Sequence, residues 1–231
     1  MRRLTNWLVL PRAPEPEEMD DAAEVESYAA AAAEACLAAI DDTLVDQVVA
    51  LGCGRGLDVG AGPGAICLKL ARRCPGLHMT GVDRSETMVR AARNAALAQG
   101  LEGRLVFRRG EAARLDFPDA SFDLVICNSV LHHLASPVEA FGEMARVTRP
   151  GGTVLIRDLR RPARLIFRAH AAWHGRHYSG RMKELYLSSL RAAYAPSELK
   201  ALVERSALAG GRIFYHHHTH IGILWKSAFQ S

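Results

Sequence analysis

Hydrophobic positions along the chain switch repeatedly between short unbroken runs and helical spacing, most regularly from Arg55 to Asp158. Arg55 to Val59 reads as a first strand, and Ala65 to Arg73 as a helix stopped by Pro75-Gly76. Leu77 to Asp83 is a second strand. A second helix spans Ser85 to Gln99, with Ser85 as N-cap and Gly100 as its stop. Arg104 to Arg109 is a third strand, and Phe122 to Asn128, with Leu124-Val125-Ile126 in a row, a fourth that is buried on both faces. Ser136-Pro137-Val138-Glu139 makes a capping box that opens a helix to about Val147. Pro150-Gly151-Gly152 is expected to turn the chain into a fifth strand, Thr153 to Asp158. The rhythm then breaks. Residues 160 to 191 form a long, mostly helical insert, and Pro196 to Ala207 a short amphipathic helix. Arg212 to Tyr215 and His220 to Trp225 are the strands of an antiparallel hairpin at the sheet edge.

Strand and helix in alternation require right-handed crossovers and a parallel sheet with helices on both faces. The expected fold class is therefore α/β: a Rossmann-like, doubly wound, mostly parallel seven-stranded sheet ending in a C-terminal antiparallel hairpin. Residues 1–45 are expected to form an N-terminal helical lid. Residues 46–231 form the main domain, with a helical substrate insert at about 160–195.

In such a sheet, ligands sit beyond the carboxyl ends of the strands. Past the first strand comes Asp58-Val59-Gly60-Ala61-Gly62-Pro63-Gly64, whose glycines let the backbone turn sharply and approach a ligand. Gly60, Gly62 and Ala65 also satisfy the dinucleotide pattern G-x-G-x-x-G/A, so the loop alone names no ligand. Asp58 favours a cationic ligand over a pyrophosphate. Asp83, followed by Arg84, ends the second strand, where a carboxylate can accept both hydroxyls of a ribose. Past the third strand, Glu111 with Ala112 can accept from an exocyclic amine, and Asn128 ends the fourth. Together these positions describe an adenosine bearing a cationic amino-acid tail.

The loop from Asp58 to Gly64, Asp83, Gly110-Glu111-Ala112 and Asn128-Ser129-Val130-Leu131-His132-His133-Leu134 resemble the motif series of class I S-adenosylmethionine-dependent methyltransferases. Arg146-Val147-Thr148-Arg149-Pro150-Gly151-Gly152 points to the type-11 branch, which includes the ubiquinone and menaquinone C-methyltransferases. The resemblance covers roughly residues 45 to 158 well and the end of the chain more loosely. It implies S-adenosylmethionine as cofactor, with Gly60, Ala61 and Gly62 under the methionine part and Asp83 on the ribose. Glu111 and Ala112 would flank the adenine and Met88 pack on it. The family more often has aspartate where Glu111 stands. By the same resemblance an N-terminal helix covers the cofactor, and Tyr28 is placed to close over the methyl group.

Methyl transfer to a neutral oxygen or carbon needs a base, and His132 and His133 lie just beyond Asn128. Both are candidates, with packing of the turn as the competing role. No Asn/Asp-Pro-Pro-Tyr pattern follows the fourth strand, which argues against methylation of a nucleobase amine. The insert carries eight bases against one acid over residues 160 to 191, whereas residues 15 to 26 carry seven acids and no base. These runs either neutralise each other or equip the insert for an anionic acceptor. A small-molecule acceptor is expected, with RNA as the alternative and a NAD(P)-linked oxidoreductase or a non-catalytic cofactor-binding protein further off. His170, His174 and His177 share a helical face, and His216 to His220 form a hairpin connection. Neither group has an acidic or cysteine partner nearby in sequence, and no metal is expected. Five cysteines within apolar segments read as reduced thiols of a cytoplasmic protein, and no run is long enough to span a membrane. Oligomeric state is not readable from the chain.

Overall fold

The computed structural model describes residues 9–15, 35–52 and 54–228. Five strands are parallel: β1 (Arg55–Val59), β2 (His78–Asp83), β3 (Leu105–Arg109), β4 (Phe122–Asn128) and β5 (Thr148–Leu159). β6 (Arg212–His216) and β7 (His220–Lys226) form the expected hairpin, with β7 antiparallel to β5. The sheet order is β3-β2-β1-β4-β5-β7-β6, so the chain reverses direction between β1 and β4. That reversal opens a crevice at the carboxyl ends of the strands.

The unbroken apolar run of β4 explains how the sheet is covered. Side chains alternate across a strand. Leu124 and Ile126 therefore join one core with α1 (Ala35–Leu51), α2 (Ala65–Arg73) and α3 (Glu86–Leu97). Val125 and Cys127 join the other, against α4 (Pro137–Val147) and α7 (Pro196–Glu204). The insert between β5 and α7 folds as α5 (Phe167–His174), a short turn of 3₁₀ helix, and α6 (Gly180–Ala192). No described helix is long and apolar enough to cross a membrane.

Several expectations change in detail. β5 begins at Thr148, and Pro150-Gly151-Gly152 lies within it as a bulge, because Phe122 pairs with Thr148 while Leu124 pairs with Thr153. α1 runs to Leu51 and buries Leu44, Val45 and Val48 in the core shared with α2. The boundary expected at residue 45 thus falls inside a helix packed on the main domain. Ser85 caps α3 as expected, accepting from the Met88 N–H, whereas Ser136 makes no capping bond to α4. Cys67 and Cys127 are free and buried, but Cys74 is disulfide-bonded. The reading of five reduced thiols is corrected at that residue.

The β6–β7 hairpin depends on close approach at Gly222. A Cβ there would lie 2.3 Å from the Phe214 ring and 2.5 Å from the Ile156 carbonyl oxygen, and the latter is backbone that cannot step aside. Gly222→Ala should lower unfolding free energy by about 1–3 kcal/mol, the usual cost of overpacking. Urea denaturation checks this; an unchanged midpoint would mean that the hairpin shifts freely.

A candidate active site at the carboxyl ends of the strands

A cavity of about 1100 Å³ occupies the crevice. On one side it is walled by the glycine loop and the ends of β2, β3 and β4. α5, α6 and the β6–β7 connection close the other side. The glycine loop is fastened to the end of β2: the Gly60 and Ala61 N–H groups both donate to the Val82 carbonyl, at 2.7 and 3.0 Å. Gly62 N–H donates to Asp83 Oδ2 at 2.8 Å, and Ser85 N–H to Asp83 Oδ1 at 3.0 Å. Gly60 and Gly62 have φ of 78° and 51°, which side chains rarely adopt. A Cβ at Gly60 would strike Val130 at 2.3 Å, whereas one at Gly62 meets nothing within 4 Å. The bare loop therefore leaves a cradle open to the cavity.

Of the sequence-predicted positions, Gly60, Gly62, Asp83, Arg84, Met88, Glu111, Ala112 and Asn128 all line this one cavity, as do His132 and His133. Ala61 is buried behind the loop. Asp58 is also set back, only 2% exposed, and accepts a hydrogen bond from the Cys67 thiol at 3.3 Å. Leu57 and Val59 face one core and Asp58 the opposite side, toward α2, so Asp58 does not touch the cavity. Burial, and then the like charges of Asp83 and Asp41, push its carboxyl up to about 7 despite the Cys67 hydrogen bond. Asp41, on α1, does line the cavity, and burial raises its carboxyl as well. Asp58, Asp83 and Asp41 thus gather around the glycine loop, with the Lys69 and Arg157 charges acting on Asp41, a setting that favours a cationic ligand. Tyr28 lies outside the described residues.

The opposite end of the cavity holds residues that sequence reasoning missed. Asp158, near the end of β5, is 2% exposed. Its Oδ2 accepts from the His132 backbone N–H at 2.9 Å, and its Oδ1 lies 2.7 Å from His132 Nδ1. Burial pushes this carboxyl up, but the charge and hydrogen bonds of His132, with the Leu159 N–H, more than offset that and hold it below the ordinary range. An ionised carboxylate only accepts, so Nδ1 carries a proton and Nε2 is the ring nitrogen left facing Glu15. Glu15 Oε2 lies 3.9 Å from that Nε2 and 3.7 Å from His133 Nδ1, and accepts from Ser189 on α6 at 3.0 Å. Arg12 holds this N-terminal segment in place, donating to the Ala192 and His132 carbonyls at 2.6 and 2.7 Å. The strand-end rule that located Asp83 and Asn128 also points to Asp158, since it sits at the corresponding end of the fifth strand. No sequence signal links Glu15 or Asp41 to the cavity.

The insert's charges divide. Arg161 is buried, donating to the Ala193 carbonyl and to Glu198 Oε1 at 2.7 and 2.5 Å, and Arg160 donates to the His218 carbonyl. Arg164 and Arg168 point to solvent, while Arg176 and Arg181 line the cavity. The acids at 16–26 lie outside the described residues. His174 and His177 line the cavity with His217, His218 and His220, whereas His170 does not. Burial drives His170 down to about 4 and His220 to about 3, so both are neutral near pH 7. Among the described residues, the imidazoles and carboxylate whose ligand atoms gather within 4.8 Å are Glu15, His132 and His133.

Asp58 supplies a test of these electrostatics. Its folded value near 7 lies above the unfolded value near 4, so the native state holds the extra proton between them and loses stability as pH rises. Relative to Asp58→Asn, the wild type should lose about 3 kcal/mol across that window. Urea unfolding of both proteins at each end of the window measures it. A pH-independent difference would show Asp58 to be ionised throughout.

The chain compares closely with known proteins. A family model described as a methyltransferase domain matches residues 57–156. A demethylmenaquinone methyltransferase from Deinococcus radiodurans is 32% identical over 184 residues, covering 72% of this chain and 76% of the relative. One from Thermus thermophilus is 34% identical over 169 residues, covering 69% and 74%. The crystal structure of an S-adenosylmethionine-dependent methyltransferase from Aquifex aeolicus shares the fold, with a TM-score of 0.59 at 20% identity over 79% of this chain and 88% of that one. With the glycine cradle, the strand order and the carboxylates around the loop, these similarities place the chain in the class I S-adenosylmethionine-dependent methyltransferases, type-11 branch.

Proposed function

We propose that this enzyme methylates a small, largely apolar acceptor at a hydroxyl or acidic C–H, with His132 as general base. One observation carries the reading: the buried Asp158–His132 pair opens on the same cavity as Gly60, Gly62, Asp83 and Glu111. S-adenosylmethionine supplies an electrophilic methyl group on a good leaving group. Gly60 and Gly62 cradle its methionine part, Asp83 takes the ribose hydroxyls, and Met88 with Glu111 and Ala112 takes the adenine. Asp41 and the set-back Asp58 complement the positive charge.

His132 Nε2 takes the acceptor's proton as the nucleophile forms, and Asp158 fixes the tautomer that leaves this nitrogen free. Glu15, 3.9 Å away, stabilises the imidazolium that results. Tyr178, Met182, Leu185 and Tyr186 give the acceptor end an apolar, aromatic wall that excludes water from the transfer. The sequence relatives named for demethylmenaquinone make a hydroxylated bicyclic aromatic the first acceptor to try.

His132→Asn should lower kcat by about 10²–10⁴-fold, the usual contribution of a general base. Asp158→Asn should lower kcat in the same direction by favouring the wrong tautomer, and binding of S-adenosylhomocysteine should be nearly unchanged in both. Full activity in folded His132→Asn would exclude the base assignment. The Glu15, His132 and His133 group supports a second reading, since two imidazoles and a carboxylate backed by Asp158 also suit a divalent cation. Activity lost to a chelator and restored by one metal would favour it, because a ligating Nε2 cannot serve as the base.

A further inference from the structure

α5 is a surface helix with its polarity inverted. Phe167, His170, Ala171 and His174 are turned toward the protein, while the exposed side presents Arg168, Ala169, Ala172 and Trp173, preceded by Arg164, Leu165 and Ile166. The large side chains are well exposed: Leu165 70%, Trp173 65% and Ile166 54%. A surface helix ordinarily turns charge outward and hydrocarbon inward. Here the outward charges sit at the margins as exposed Arg164, Arg168 and Arg176, with Arg176 stacked over the Trp173 ring at 4.2 Å. From Leu159 to Lys183 the chain has seven bases and no acid. Trp173 and Arg176 also line the cavity, so the apolar patch continues into the cavity at the acceptor end.

We propose that this face docks on an anionic lipid surface. Residues 164–176 would lie in the interface, with Leu165, Ile166 and Trp173 among the acyl chains and the arginines at the headgroups. Exposed hydrocarbon rimmed by cations matches an interface that is apolar beneath and negative above. A folded nucleic acid would match the arginines but not the leucine and isoleucine, and a second copy of this chain would set arginine against arginine. Docking would bring the cavity to the membrane and let an apolar acceptor enter without crossing water. It goes beyond the methyl-transfer reading and can fail without touching it, because vesicle binding is measured with no acceptor present.

The test is flotation of the full chain with vesicles of phosphatidylcholine alone and of equimolar phosphatidylcholine and phosphatidylglycerol. The protein should float with the anionic vesicles and stay behind with the neutral ones. Leu165→Glu should weaken flotation at least about tenfold by removing one anchor and adding a repelled charge. Arg164→Glu with Arg168→Glu should do the same through charge alone, and S-adenosylhomocysteine titration verifies that each variant is folded. Absence of anionic-vesicle binding, or binding indifferent to both variants, overturns the proposal. So does a dimer in sedimentation that Leu165→Glu dissociates while vesicles fail to bind, which assigns the patch to a second copy. Salt-steep binding to transfer RNA that Leu165→Glu leaves intact, with no vesicle binding, assigns the arginines to nucleic acid and overturns it as well.

Discussion

Two adjacent charges at the end of β5 organise the site, and both are buried. Arg157 has no exposed surface and Asp158 has 2%. Their side chains leave the strand on opposite faces, and a buried charge is tolerated only when it is hydrogen-bonded. Arg157 meets most of that demand on one face, donating to Asn128 Oδ1 at 2.9 Å and to the Ile40 carbonyl and Thr43 hydroxyl of α1 at 2.9 and 3.0 Å, while its buried Nη2 has no hydrogen-bond partner among the described residues. Desolvation still drags its guanidinium down to about 10. Asp158 meets it on the other face through the His132 ring and N–H. The first set of bonds ties α1 to the sheet and brings Asp41 to the cavity. The second fixes the turn after β4 and aims His132. The two halves of the cavity are therefore set by one dipeptide.

The electrostatics of the two halves have opposite sense. Around the glycine loop, carboxylates gather, and burial first, then like charge, raises Asp58. At the acceptor end, a carboxylate is held low by an imidazole. Like charge held apart by a rigid scaffold is a store of binding energy for a cation. An opposite pair held together is a fixed dipole that orients a proton. On the proposed reading, a single fold separates attraction of the donor from preparation of the acceptor.

What was legible in the chain follows from range. The strands, the glycine loop, Asp83 and the hairpin are written in neighbouring residues, through periodicity and turn chemistry. Asp58 reads from the chain as a cofactor-binding carboxylate, yet strand parity, visible in Leu57 and Val59, turns it toward α2 and away from the cavity. The β5 bulge escaped because Pro150-Gly151-Gly152 has the composition of a turn, and only pairing with β4 shows that the strand continues through it. Glu15 and Asp41 line the cavity and Asp158 backs it through His132, from three distant places. Asp158 and His132 are 26 positions apart and Glu15 and Ser189 are 174 apart, separations at which local pattern carries no information.

The insert leaves the sheet after Leu159 and returns at α7, and its two ends meet where Arg160 bridges Tyr194. Only after that excursion does the chain supply β6 and then β7, which slots between β5 and β6. The excursion is a closed loop whose entropic cost grows only with the logarithm of its length. Doubling the roof would cost well under 1 kcal/mol in closure, provided the stapled ends are kept. The cofactor machinery thus puts almost no constraint on the size of the acceptor roof. In evolutionary terms, this is a socket into which different roofs can be fitted while the methyl-donating half stays as it is.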